Sequence, residues 1–155
     1  MKYEAKNISG VATSQASSSP WAYITQYDAS AKCRSLGDGF ELISNDQWMT
    51  IATNIANESS NWINGTVGTG ALNRGHSDNS PSSSLAASTD SDACSGTGQS
   101  CSDTSWDSQK RTHTLSNGEV IWDMAGNVWE WTSYVIPDNT AKPSGSGVNS
   151  WSEYA

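Results

Sequence analysis

The chain has 155 residues, 35% of them hydrophobic and 15% charged, with a formal net charge of −8. That length fits one domain of ordinary size. The negative charge sets nucleic-acid phosphate and anionic membranes aside as partners, and no stretch reaches the length of a membrane span. Eight Trp and five Tyr against a single Phe predict a small aromatic core with much of the chain in loops. So many aromatics with so little charge exclude a disordered polyelectrolyte.

Residues 1–19 open on a short strand around Tyr3 to Ile8 and then pass into Ser/Thr/Ala-rich sequence, read as an edge strand plus linker ending before Pro20. The main domain is expected over 20–155. Met1-Lys2-Tyr3-Glu4 does not read as the start of a signal peptide. Trp21-Ala-Tyr-Ile24 is apolar enough for a strand or an anchored loop. Thr25 to Leu36 reads as a helix, with Thr25 and Asp28 forming a capping signal and Gly37 a stop. Ser44 with Gln47 caps a second helix running to about Asn57, whose Trp48, Ile51, Ala52 and Ile55 share one face.

From Trp62 to about Lys110, Gly, Ser, Asn, Asp and Pro recur so often that no long helix or strand survives. A loop region of that length in a compact domain usually carries function or is disordered. Cys94 and Cys101 bracket the stretch Ser95-Gly-Thr-Gly-Gln-Ser100 and are expected to form a disulfide in an extracellular setting. Neither His76 nor His113 has metal-ligand spacing to the thiols, so zinc is not expected. Arg74-Gly-His76-Ser-Asp78 is the nearest approach to a Ser-His-Asp arrangement. It lacks a nucleophile turn and an oxyanion signature, and reads as loop. Asn-x-Ser/Thr sites at Asn7, Asn57 and Asn64 arise by chance in a chain so rich in Ser and Thr.

Thr112 to Leu115, Ser116-Asn117-Gly118 and Glu119 to Trp122 predict a hairpin with an Asn-Gly turn. It leads into Asp123-Met-Ala-Gly-Asn-Val-Trp-Glu-Trp131. Gly126 and Asn127 there are the residues most tolerant of positive φ, and Val128 to Trp131 alternates like a further strand. Asp123 and Glu130 flank the turn with carboxylate oxygens, which suits a hard cation; the plainer reading is a tryptophan-rich core hairpin with two solvated acids. After Trp131 the pattern decays. Tyr134-Val-Ile136 could finish a strand, and the rest reads as loop to Ala155.

The nine residues Asp123 to Trp131 resemble the signature of the formylglycine-generating-enzyme (sulfatase-modifying factor) family, a branch of the C-type lectin fold. Asn127, Trp129 and Trp131 carry the core of the match. The resemblance implies an α+β, C-type lectin-like domain with two short helices, a small antiparallel sheet and a long loop region. It also implies a structural calcium held by the side chains of Asp123 and Glu130 and the carbonyls of Gly126 and Val128. The family commonly has Asn where this chain has Asp123. Cys33 lies on the first helix, where the fold commonly bonds a cysteine to the last strand; it could equally be a small buried apolar residue.

Members usually continue past this motif through an Arg-Gly-Gly-Ser-Trp-like segment to a Gly-Phe-Arg-like strand. Neither is present, so the domain is expected to be incomplete at its C-terminal end, with a following segment or another chain to complete it. The family's catalytic cysteines, which lie beyond the motif, and the His-x3-His-x-Glu cluster of its iron-dependent relatives are likewise missing. So are the sugar-binding signatures of calcium-dependent lectins, of which Ile136-Pro137-Asp138 is a faint echo.

The expectation is a non-enzymatic module that binds a protein or glycan ligand on a cell or virion surface, in the manner of the variable proteins of diversity-generating retroelements. The alternatives are part of an oxidase- or iron-type enzyme whose catalytic residues lie outside this chain, and a structural surface or fibre domain.

Overall fold

The computed structural model describes residues 1–77, 80–101 and 109–135. It is an α+β arrangement of two helices and two small antiparallel sheets, in keeping with the expected class. Strands β1 (Ala5–Ile8) and β2 (Val11–Ser14) pair with Ala5 opposite Ser14. The segment expected to be a strand plus linker is therefore a hairpin. Ser9 and Gly10 close it with φ of 53° and 85°, the pair of positive values that a two-residue turn needs to follow the twist of its strands.

Helix α1 (Gln26–Arg34) is capped by Thr25, whose side chain accepts from the Asp28 backbone N–H. Helix α2 (Asn45–Asn57) starts on a full capping box between Ser44 and Gln47. Its expected inner face is the one the fold uses: Ile55 is buried, Trp48, Ile51 and Ala52 are half-buried, and Met49, Thr50 and Thr53 are exposed. A 3-10 turn over Ser59–Asn61 follows. There the buried Asn61 amide donates to the carbonyls of Ile55 and Thr114 and accepts from the Thr114 N–H. One side chain thus ties the end of α2 to the second sheet.

That sheet is the expected hairpin. Strand β3 (Thr112–Thr114) pairs with β4 (Val120–Trp122), Thr112 opposite Trp122. Gly118, at φ 84°, lets the three-residue turn close. The region from Trp62 to Lys110 is irregular as expected, with only the isolated bridge Trp62–Leu72 among its described residues. It is nonetheless tied to the sheet. The Arg111 N–H donates to the Ala93 carbonyl, Gly75 N–H to Lys110, and Asn73 N–H to Asn61. The expected Cys94–Cys101 disulfide is formed.

The strand expected over residues 128–131 is absent, and of the two readings open for Trp21 to Ile24 the structure takes the second. Residues 128–131 form no strand, because no described segment runs beside them to supply a ladder; side-chain anchors hold them instead. Trp21 to Ile24 is an anchored loop, tied by the Trp21 N–H to the Ala5 carbonyl. Tyr134 and Val135 are likewise outside any strand, and Ile136, Pro137 and Asp138 lie outside the described residues.

The interior is more polar than an aromatic composition suggests. Ala12, Ile55, Ala93, Cys94 and Trp122 are its buried apolar residues, alongside Lys6, Asn61, Asn73, His76, Gln109, Arg111, His113 and Asp123. Trp122, just before the signature stretch, is buried, whereas Trp129 and Trp131 within it are exposed.

Candidate functional site

The signature stretch starts where β4 ends. Gly126 and Asn127 take φ of 82° and 65°, as their residue types suggest, and Asp123 takes 55°. The left-handed turn at Asp123 was not foreseen, although Asp is among the side chains that tolerate it. It swings the carboxylate inward, where its Oδ1 accepts from Arg111 Nε at 2.7 Å and its Oδ2 from Arg111 Nη2 at 2.6 Å. Both side chains are essentially inaccessible to solvent.

Arg111 was not singled out from the sequence. Its Nη1 donates to the carbonyls of Ala86 and Ser95 and its Nη2 also to that of Leu85. Every guanidinium N–H therefore has an acceptor, and the group lies 5.2 Å from the centroid of the Trp122 ring. The only sequence sign was the basic pair Lys110-Arg111 just before a predicted strand, which is normally a surface position.

On the opposite side of the turn, two segments cross in backbone contact. The Asn127 N–H donates to the His76 carbonyl at 2.7 Å. A Cβ on Gly75 would lie 1.9 Å from the Ala125 oxygen, and one on Gly126 would lie 2.6 Å from the His76 oxygen. Glycine is required at both places by the closeness of the approach as well as by φ. The stretch Arg74 to Ser77, read from sequence as simple loop, is thus a direct support of the signature turn. His76 directs its ring nitrogens at the Gln109 side-chain oxygen and the Pro81 carbonyl. Asp78 lies outside the described residues.

Asn127 joins the turn to two further segments. Its Nδ2 donates to Glu4 Oε2 and to the Leu85 carbonyl, while its Oδ1 accepts from the Leu85 N–H. Glu4 is pushed up to about 8, first by burial and then by the neighbouring Asp123 charge. Lys6 Nζ sits 3.8 Å from Glu4 Oε2 with its side chain fully buried, and burial holds its pKa below the ordinary lysine value. Across the sheet, burial also lowers the pKa of His113, whose Nε2 faces the Asn73 carbonyl.

The resemblance implies calcium ligation by Asp123, Gly126, Val128 and Glu130, and this arrangement does not fit that set. Both Asp123 oxygens face a guanidinium, so a divalent ion touching them would lie beside a fixed positive charge. Unit charges ~4 Å apart interact by about 4 kcal/mol even at an effective dielectric of about 20, and a divalent ion doubles that. The Gly126 carbonyl accepts from the Val128 N–H at 2.9 Å. Glu130 Oε2 accepts from the Trp48 indole N–H at 3.2 Å, and desolvation raises the Glu130 pKa.

Past Glu130 the chain crosses the N-terminal ends of both helices. Trp131 Nε1 donates to the Ile24 carbonyl, Gln26 Nε2 donates to the carbonyls of Thr132 and Tyr134, and the Ser133 N–H donates to the Ile43 carbonyl. These bonds join the segment 24–26 to the segment 131–134, and Tyr23, Tyr27, Trp131 and Tyr134, on or next to the two segments, are all exposed, Tyr23 and Tyr27 most fully.

Cys94 and Cys101 are joined, and Cys33 is a half-buried free thiol whose pKa burial raises. No helix among the described residues is long and apolar enough to cross a membrane.

Comparison with known proteins agrees with the signature. No curated protein and no solved structure matches the chain. The model of the sulfatase-modifying factor enzyme 1-like domain matches residues 2–150, nearly the whole length. The Asp123–Trp131 turn and the elements built around it are thus those of a member, and the chain belongs to the sulfatase-modifying factor enzyme 1-like domain family.

Proposed function

We propose that this domain is a non-enzymatic module of C-type lectin type that presents a ligand-binding surface outside the cell or on a virion. The observation that carries the reading is the group of exposed aromatics Tyr23, Tyr27, Trp131 and Tyr134, carried on or next to two segments that side-chain-to-backbone hydrogen bonds tie together. Aromatic side chains give large contact area at low entropic cost, and they stack equally on the apolar faces of sugars and on protein surfaces. A protein or glycan ligand suits such a group. The disulfide between Cys94 and Cys101 is compatible with an oxidising compartment. Diversification of this surface by a retroelement belongs to the same proposal, and an adenine-mutagenised repeat beside a reverse-transcriptase gene would support it.

Family membership is equally compatible with a second reading, in which the chain is part of a formylglycine-generating or iron-dependent enzyme whose catalytic residues lie outside it. Two measurements separate the readings. Incubation with a cysteine-containing sulfatase peptide should yield no aldehyde. Panels of glycans and displayed peptides should yield a binder whose affinity falls at least tenfold, about 1.4 kcal/mol, in Trp131→Ala or Tyr27→Ala. Aldehyde formation would overturn the proposal, and so would binding indifferent to both substitutions.

A further inference from the structure

We infer that the guanidinium of Arg111 stands in this chain where a metal ion would otherwise pin the signature turn, so that the domain folds and holds its shape without calcium. The argument starts from what a structural calcium does. It collects oxygen atoms from separate segments and compensates the carboxylates among them. Arg111 performs both tasks here. Its donors reach the Asp123 carboxylate after β4, the carbonyls of Leu85 and Ala86, and the Ser95 carbonyl beside the disulfide. Three places in the chain, at 85–86, 95 and 123, therefore converge on one buried cation.

The identity of residue 123 agrees. An Asn at this position could serve a metal through its single side-chain oxygen. It would not suit Arg111: one of its two terminal atoms is an NH2 group, which would meet a guanidinium N–H donor to donor. Only a carboxylate offers two acceptors to the guanidinium fork, so Asp at 123 is the residue that Arg111 requires. Two of the other oxygens expected to ligate each already accept a hydrogen bond, the Gly126 carbonyl from the Val128 N–H and Glu130 Oε2 from the Trp48 indole. Nearby, the Lys6 amino group lies 3.8 Å from Glu4, so a second basic side chain borders the same buried acids.

The test is thermal melting of the intact chain in millimolar calcium and in excess chelator, followed by titration with terbium, whose emission nearby tryptophans would sensitise. The parent protein is expected to melt at the same temperature in both buffers and to give no saturable terbium emission. Asp123→Asn is expected to lower the melting temperature by several degrees, equally with and without calcium. A drop of several degrees on chelation of the parent would overturn the inference, as would saturable terbium emission or an Asp123→Asn variant stabilised by calcium. If Asp123→Asn does not fold, Arg111→Lys keeps the charge and loses the fork, and the same two buffers apply. The parent measurements decide the matter independently of either variant.

Discussion

An alanine at Gly75 would place its Cβ 1.9 Å from the Ala125 carbonyl oxygen, in a backbone conformation with φ of 65°. The obstacle is backbone, so no side chain can rotate away, and the signature turn itself would have to move. Gly75→Ala is expected to cost on the order of 3 kcal/mol or more. Gly10 shares the positive φ but has nothing within 4 Å of its Cβ position. Gly10→Ala should therefore cost only about 1–2 kcal/mol, the left-handed penalty alone. Urea unfolding of the two variants checks the ordering, and equal losses would mean that the crossing of segments 74–77 and 125–127 is not as close as described. At Glu4 the residue scale sets a pH response. Its folded-state pKa of about 8 lies above the ordinary carboxyl value of 4.5. Between these values the folded chain retains a proton that the unfolded chain has released, so this group's contribution to stability is present at low pH and is lost as pH rises through that window. Glu4→Gln should flatten the dependence of melting temperature on pH between about 5 and 8 relative to the parent. A slope unchanged in the variant would remove Glu4 as its source.

Among the elements, the loop closed by Cys94 and Cys101 is the one whose loss should be felt furthest away. Ala93 and Ser95 flank Cys94, and their carbonyls accept from the Arg111 backbone N–H and guanidinium. Closing a loop of this size restricts the unfolded chain by about 2 kcal/mol. Reduction should lower stability by that amount and should also increase amide exchange at Arg111 and Asp123, far along the chain from the thiols. Exchange confined to the loop would show that the two features are independent. The helices contrast with this. Capping signals at Thr25 and Ser44 and the spacing of Trp48, Ile51 and Ile55 were readable because they are local and periodic. The Thr112–Trp122 hairpin was readable for the same reason, through its Asn-Gly turn. The β1–β2 hairpin was only half legible, since Lys6, its fully buried residue, is a type that sequence reasoning assigns to solvent.

For the molecule as a whole, legibility followed the division between local and distant interactions. The nine-residue signature identified the family, and its composition indicated the left-handed positions at Gly126 and Asn127. What it could not indicate was the set of partners. Arg111, Glu4, Leu85, Gly75 and His76 are scattered along the chain, and none is distinctive until the fold brings it to Asp123 or Asn127. The calcium expectation rested on the turn alone, whereas Arg111, which donates to both Asp123 oxygens, lies outside it. The same division explains why a composition rich in tryptophan misled about the core: the indoles of Trp48 and Trp131 serve as hydrogen-bond donors at the surface, and buried amides, imidazoles and a guanidinium fill much of the interior.

The hydrogen bond from Asn127 to Glu4 spans 123 residues, and it has a consequence for how the protein is made. During synthesis Glu4 and Lys6 leave the ribosome well over a hundred residues before the side chain that will cover them. The first hairpin can close locally, but its inner face must stay hydrated until nearly all of the chain has emerged. Such late, distant closure slows folding. The two ionisable groups, Glu4 and Lys6, keep that waiting surface wet rather than sticky, which protects the nascent chain from association until the closure is made.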